Sequence, residues 1–103
     1  MKKILITGSS SRFAQSLKKV LFGKNIFYTS SEELDIVNID SVEENVKKIK
    51  PNIFIHLAGL SRPMDIHEKD INNSIDLNII GTANIVKICK EKKIKIIFYG
   101  FYG

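Results

Sequence analysis

Five short apolar runs alternate along this chain with three stretches whose apolar residues recur every three or four positions, and that alternation constrains the fold more than any single motif. Lys2–Thr7, Ile26–Thr29, Leu34–Val37, Asn52–Leu57 and Ile94–Tyr99 are rich in β-branched and aromatic residues, which predicts strands. Phe13, Leu17, Val20 and Leu21 predict an amphipathic helix from Arg12 to Phe22 that stops near Gly23. Val42, Val46 and Ile49 predict a second, capped by Asp40 or Ser41 and ended by Lys50 and Pro51. Asp70 can cap a third, longer helix from Ile71 to Lys92, apolar on more than one side. Strands that alternate with helices, joined by right-handed crossovers, give an α/β fold with a parallel sheet covered on both faces.

Size and composition narrow the class. The 103 residues suit one small domain, and 44% hydrophobic with 26% charged residues is ordinary for a globular protein. Apolar runs of about five residues are far short of the roughly 20 needed to cross a bilayer. Met1, Lys2 and Lys3 lead straight into a strand with no extended leader, so a cytoplasmic location is expected. Cys89 is the single cysteine: it can form no internal disulfide or thiolate cluster and is expected in the core. The net charge of +5 comes from lysines that are scattered or gathered at helix ends, as in "KICKEKKIK" from Lys87 to Lys95, where they complement the macrodipole. No arginine-rich or aromatic groove accompanies them, and neither nucleic acid nor a membrane is expected as a partner.

The chemistry concentrates in "ILITGSSSRFAQ", Ile4 to Gln15, a strand that meets glycine and then opens a helix. In a G-x-x-G-x-x-G phosphate turn, the first glycine permits the tight turn, the second admits a pyrophosphate and the third packs helix on strand. Gly8 holds the first position, Ser11 the second and Ala14 the third. Ser9, Ser10 and Arg12 add donors to the unpaired N–H groups of the helix start. His56, at the end of a buried strand, is expected as a core residue. His67 stands in a polar loop, and no metal constellation is expected from the two.

Four segments recur in one order: "TGSSSRFA" after the first strand, "SEELDI" at Ser31–Ile36, "HLAG" at His56–Gly59 and "NIIGT" at Asn78–Thr82. In these the chain resembles the extended short-chain dehydrogenase/reductases of the sugar-nucleotide branch, the dTDP-4-dehydrorhamnose reductase (RmlD-like) and NAD-dependent epimerase/dehydratase groups. The resemblance implies a Rossmann-like doubly wound parallel sheet of order 3-2-1-4-5, ending after the fifth strand. It assigns Gly8, Ser9, Ser10, Ser11, Arg12, Phe13 and Ala14 to the pyrophosphate turn and Ser30 to the segment after the second strand. Asp35 and Ile36 would lie against adenine, and Leu57, Ala58 and Gly59 would line the cofactor groove. Asn78 would tie the long helix to its neighbouring strand.

The implied cofactor is NAD or NADP, left open because Thr29, Ser30 and Ser31 stand where an acid would select one and an arginine the other. The family's Tyr-x-x-x-Lys pair does not occur in these 103 residues, and Phe101 falls where the family carries a hydroxyl. The expectation is therefore an NAD(P)-binding domain over residues 1–103, incomplete and lacking its substrate domain, with no catalytic residue of its own. Its partners would be a nicotinamide dinucleotide and a nucleotide sugar. The alternative is a non-enzymatic nucleotide-binding or interaction module. Self-association is expected through the 71–92 helix or the 94–99 edge strand.

Overall fold

The β-branched run at Ile4–Thr7 forms β1, the central strand of a four-stranded parallel sheet. A computed structural model describes residues 2–9, 12–59 and 79–101 of the chain. After β1 come α1 (Arg12–Leu17), β2 (Ile26–Thr29), α2 (Ile39–Ile49), β3 (Ile53–Gly59), α3 (79–92) and β4 (Lys95–Phe101). Ile4 lies opposite Ile26 of β2 on one side and Ile53 of β3 on the other, and Ile53 in turn lies opposite Lys95 of β4. The order is β2-β1-β3-β4.

Alternation along each strand divides the core into two layers. Leu5 and Phe54 face one way, into a cluster with Leu34, Val42 and Val46 of the α2 region and Ile85, Ile88 and Cys89 of α3. Ile6 and Leu57 face the other way, against Ala14 of α1. Each large side chain so buried contributes about 1.5–3 kcal/mol, which makes the α2–α3 layer the main source of stability. Cys89 is the core residue expected from the sequence, and burial pushes its thiol up to about 11.

Local polar contacts set the element ends. Asn38, not Asp40 or Ser41, caps α2: its side chain accepts the Asp40 N–H at 3.1 Å. The helix stops where expected, at Lys50, which turns left-handed (φ 54°) and donates its N–H to the Val46 carbonyl at 2.8 Å. The first helix is shorter than its periodicity suggests. Regular α structure ends at Leu17, and the chain continues in turns, Lys19 N–H to Ser16 O and Val20 N–H to Leu17 O. Of the residues that set that periodicity, Leu17 and Leu21 pack against the core with Ala14, while Val20 is exposed. Of the third helix, residues 71–78 and the Asp70 cap lie outside the described residues.

Leu34–Val37 is not a strand, so the expected third strand beside β2 is absent from the sheet, and the other four keep their expected order. Its backbone donors are taken locally. Asp35 N–H donates to Ser41 Oγ at 3.0 Å, Val37 N–H to Asp35 Oδ1 at 3.2 Å and Asn38 N–H to Asp35 O at 3.1 Å. Asx and serine turns of this kind compete directly with a ladder. Leu34 still buries its side chain, which is the part of the strand pattern that packing uses. The outer edge of β2 is left bordering a recess of about 500 Å³ that includes Phe27, Thr29, Glu33 and Asn45 among its lining residues.

At Gly81, in α3, a Cβ would lie 2.6 Å from Ile36 Cγ1, and Asn84 Nδ2 donates to the Ile36 carbonyl at 2.8 Å. Helix and turn are thus in near-contact through a residue without a side chain. Gly81→Val is expected to lower stability by about 1–3 kcal/mol through overpacking, read as a shift of the urea midpoint, and an unchanged midpoint would show that the turn at Ile36 yields freely.

Candidate functional site

The helix after β1 leads to one side of the sheet and the helix after β3 to the other, so the chain reverses direction between these two strands. In open parallel sheets the crevice at such a switch point, beyond the strand C-termini, is where ligands sit. The crevice here is flanked by the Gly8 turn after β1 and by Leu57–Gly59 closing β3.

Three neighbours hold the Gly8 turn. Gly8 has φ +80°, and a Cβ there would stand 2.5 Å from the Leu57 carbonyl oxygen and 3.1 Å from Leu57 Cβ. Ser9, largely buried, donates its N–H to Thr29 O at 3.4 Å, and its carbonyl accepts Gln15 Nε2 at 3.0 Å. Ala14, at the third position of the turn motif, is fully buried against Ile6 and Leu57. A larger residue there would lift α1 off the sheet. Arg12 is exposed at the start of α1 and is the one arginine among the described residues. Ser10, Ser11 and Asn78, named from the sequence, lie outside the described residues.

Phe13 and Tyr99 were not paired by any sequence argument. Their rings stack at 4.1 Å between centroids, 14° from parallel, and carry contact from α1 across to β4. Each is only half-buried, at 40% and 48% exposure, so the stack forms an apolar wall rather than core.

After β2, Ser30 and Glu33 bond reciprocally. Ser30 N–H donates to Glu33 Oε1 at 3.0 Å and Glu33 N–H to Ser30 Oγ at 3.3 Å. The Ser30 N–H bond, reinforced by the serine side chain and by Lys48, holds the exposed Glu33 carboxyl below the usual range. Glu33 escaped the sequence reading, although the S-x-x-E spacing of a capping box was visible in "SSEE". Thr29 is buried and its hydroxyl donates to Ile6 O at 2.9 Å, so it cannot serve a ligand. Asp35 is exposed, whereas the Ile36 side chain packs toward α3. Leu57 is buried, and Ala58 and Gly59 continue β3 opposite Gly100 and Phe101.

His56 is a core residue, 3% exposed, directly opposite Thr7 in the ladder. Its Nδ1 lies 2.6 Å from Thr7 Oγ1, Phe98 meets it edge-on, and Nε2 has no hydrogen-bond partner among the described residues. Burial drives its pKa down to about 4 and leaves the ring neutral at physiological pH. Nothing in this geometry gives it access to a reacting group. It joins β1 to β3 immediately below the crevice.

Two expectations follow from these contacts. Gly8→Ala should cost about 2–4 kcal/mol, from the left-handed φ and the collision with the Leu57 carbonyl together; a variant as stable as the wild type in urea would mean the turn can move away from β3. For His56, the folded value of about 4 lies below the ordinary 6.5. Between those values the unfolded chain binds more proton, so stability rises with pH. The His56 contribution, about 3 kcal/mol, is complete above the unfolded value and is lost as pH falls toward the folded one. Urea midpoints measured from neutral pH down to mildly acidic pH should fall less steeply in His56→Gln than in the wild type, and parallel curves would refute the assignment.

Known proteins share this arrangement. The family model described as the RmlD substrate binding domain matches residues 1–102. A GDP-6-deoxy-D-talose 4-dehydrogenase from Aggregatibacter actinomycetemcomitans is 34% identical over 92 residues, 82% of this chain and 29% of that protein. The dTDP-4-dehydrorhamnose reductase of Bacillus anthracis, solved in complex with NADP, superposes with a TM-score of 0.80 at 28% identity over 93% of this chain and 35% of its own. The corresponding reductase of Clostridium acetobutylicum gives a TM-score of 0.74 at 30% identity, over 91% and 34%. The chain thus spans about a third of the length of these relatives. These neighbours make the sheet a Rossmann-like one. With a model match running from the first residue to the last but one, this chain belongs to the RmlD substrate binding domain family.

Proposed function

We infer that this chain is the dinucleotide-binding part of an NAD(P)-dependent reductase or dehydrogenase acting on nucleotide sugars. The observation that carries this reading is the Gly8 turn. It is a left-handed glycine pressed on the Leu57 carbonyl, set at the switch point between β1 and β3 and followed by a helix packed down through Ala14. That construction sets the start of α1 over the strand ends, where a pyrophosphate would sit. The sugar-nucleotide enzymes similar in sequence, and the reductase solved with NADP, support the same assignment.

In this reading Ser9 fixes the turn from below, Arg12 supplies the cation for the phosphates, and the Phe13–Tyr99 stack walls the apolar side of the crevice. A bound nicotinamide would supply hydride chemistry; these 103 residues bind and orient it. The proton donor is not among them, since no Tyr-x-x-x-Lys occurs in the sequence. The exposed Ile79, Ile80 and Val86 of α3, and β4 with Ile97, Phe98 and Tyr99 exposed, are the surfaces through which copies would associate.

The segment after β2 also bears on cofactor choice. Glu32, Glu33 and Asp35 stand there with no lysine or arginine between Thr29 and Asn38. A 2′-phosphate would be repelled where a ribose hydroxyl could donate to a carboxylate. NADH is therefore expected to bind more tightly than NADPH, by roughly tenfold. Saturation-transfer NMR titrations with both dinucleotides and ADP-ribose check this. Equal affinities would remove the role of the acidic segment, and no transfer to the adenine protons from any of the three would remove the nucleotide site itself.

A further inference from the structure

The described lysines lie in the last two turns of α2 or α3, in the turns that follow α1, or in segments leading into a strand, and Lys95 opens β4. In this fold those places are one end of the molecule, because each helix runs back against the strands. Lys3 N–H to Asn52 Oδ1 at 2.8 Å, Asn52 N–H to Lys3 O at 2.8 Å and Lys95 N–H to Asn52 O at 3.1 Å tie the starts of β1, β3 and β4 together there. Helix ends alone do not account for so much charge. Three C-termini present roughly 1.5 negative charges in all. Among the described residues Lys47 pairs with Glu43 and Lys48 faces Glu33, while Lys19, Lys24, Lys50, Lys92 and Lys93 are exposed.

The same end carries two protruding apolar side chains in the connection from α1 to β2, Val20 at 78% exposure and Phe22 at 73%. The connection is held, not loose. Leu21, between them, turns inward onto the α1 layer, its N–H donates to Leu17 O at 2.8 Å and its carbonyl accepts the Tyr28 hydroxyl at 2.7 Å. Gly23, at φ +144°, returns the chain to β2, where Ile26 N–H meets its carbonyl at 3.1 Å. The fold therefore fixes Val20 and Phe22 outward, flanked by Lys18, Lys19 and Lys24.

We propose that this lysine-rich end is a docking surface for an anionic phospholipid bilayer, with Val20 and Phe22 entering the headgroup boundary and the lysines at the level of the phosphates. Taken singly, the lysines are solvated helix ends and predict no membrane contact; with Lys19 and Lys24 beside a protruding apolar pair, and the lysines of the α2 and α3 ends at the same pole, they have the composition of an interfacial anchor. A nucleic acid fits less well. Arginine forks and several stacking aromatics would be needed, and this end has no described arginine and one protruding aromatic. A recess of about 360 Å³ over Val46, Pro51 and Ile94, rimmed by Lys47, Lys50 and Lys92, opens at the same end and offers a seat for a headgroup phosphate. The nucleotide crevice lies at the opposite end of the strands and stays open in the docked state.

Flotation of the 103-residue chain with vesicles of phosphatidylcholine, with and without phosphatidylglycerol, tests this. Binding is expected only to the anionic vesicles and should weaken as salt is raised. The double variant Val20→Ser, Phe22→Ser, both at exposed positions, should bind them at least roughly tenfold less with an unchanged far-ultraviolet circular dichroism spectrum. The sequence has no tryptophan, so Phe22→Trp gives a single reporter that decides the matter even if the double variant fails to fold. Its emission should shift to the blue on anionic vesicles and be quenched by brominated acyl chains. Equal binding to both vesicle types, full binding by the double variant, or an unmoved tryptophan emission would overturn the proposal. So would displacement from vesicles by an RNA homopolymer that binds regardless of Phe22, which would assign the surface to nucleic acid.

Discussion

The closeness of the Gly8 turn to the Leu57 carbonyl governs much of what surrounds it. β1 must end where β3 is still running alongside, so the chain has to leave the sheet across the backbone of its neighbour, with no room for a Cβ. A left-handed glycine is the only ordinary residue that makes this exit. Once it is made, α1 starts directly over the strand ends, and Ala14 can lie flat on Ile6 and Leu57. The opposite face needs a second close approach, Gly81 against Ile36, to bring α3 down beside the turn that leads into α2. Two glycines on two faces set how near the helices come to the sheet, and with it the width of the crevice between β1 and β3.

Beneath the crevice the two strands are joined by a polar pair in an apolar setting. Thr7 and His56 face each other in the ladder on the side that also buries Leu5 and Phe54. Threonine and histidine cost more to bury than the valine or leucine a core strand would otherwise carry, and one hydrogen bond offsets only part of that cost. The orphaned Nε2 marks the remainder. A neutral, hydrogen-bonded imidazole fixes the ring plane and keeps charge out of the floor of the crevice. That arrangement is positional, and it explains a buried histidine without assigning it any proton transfer.

Much of this was legible in the sequence, and the failures share one cause. Lys2–Thr7, Asn52–Leu57 and Ile94–Tyr99 read as strands from their β-branched and aromatic runs, and β1, β3 and β4 fall there; β1 and β3 are packed on both faces, while β4 leaves Ile97, Phe98 and Tyr99 exposed. The Gly8 turn and Ala14 could be placed because their residue types reflect backbone constraints that no neighbour can relax. Leu34–Val37 misled because its apolar pattern records the burial of Leu34 and the packing of Ile36, not a ladder; the backbone N–H groups of Leu34, Asp35 and Val37 are claimed by Ser30, Ser41 and Asp35. The α1 segment misled in the same way, since Phe13 and Val20 keep helical spacing but face β4 and solvent. Apolar spacing reports that a side chain is covered or displayed, and says little about which hydrogen bonds its backbone makes. The Phe13–Tyr99 stack and the Thr7–His56 pair were beyond reach because each joins residues far apart in sequence through strand register.

The distribution of charge shows the same limit from the other side. A lysine at the end of a helix is a local solution to a local field, and each such choice can be understood without knowing the fold. A parallel sheet with antiparallel helices then collects every helix end, and every entry into a strand, at one pole. The ends of α2 and α3, the turns after α1 and the strand entries become a single field, which the acidic segment after β2 meets at one edge, where Lys48 faces Glu33. The resulting polarity is a property of topology acting on composition. On the readings proposed above, phosphate recognition by backbone amides would fall at one end of the strands and phosphate attraction by ammonium groups at the other, where the two would not compete.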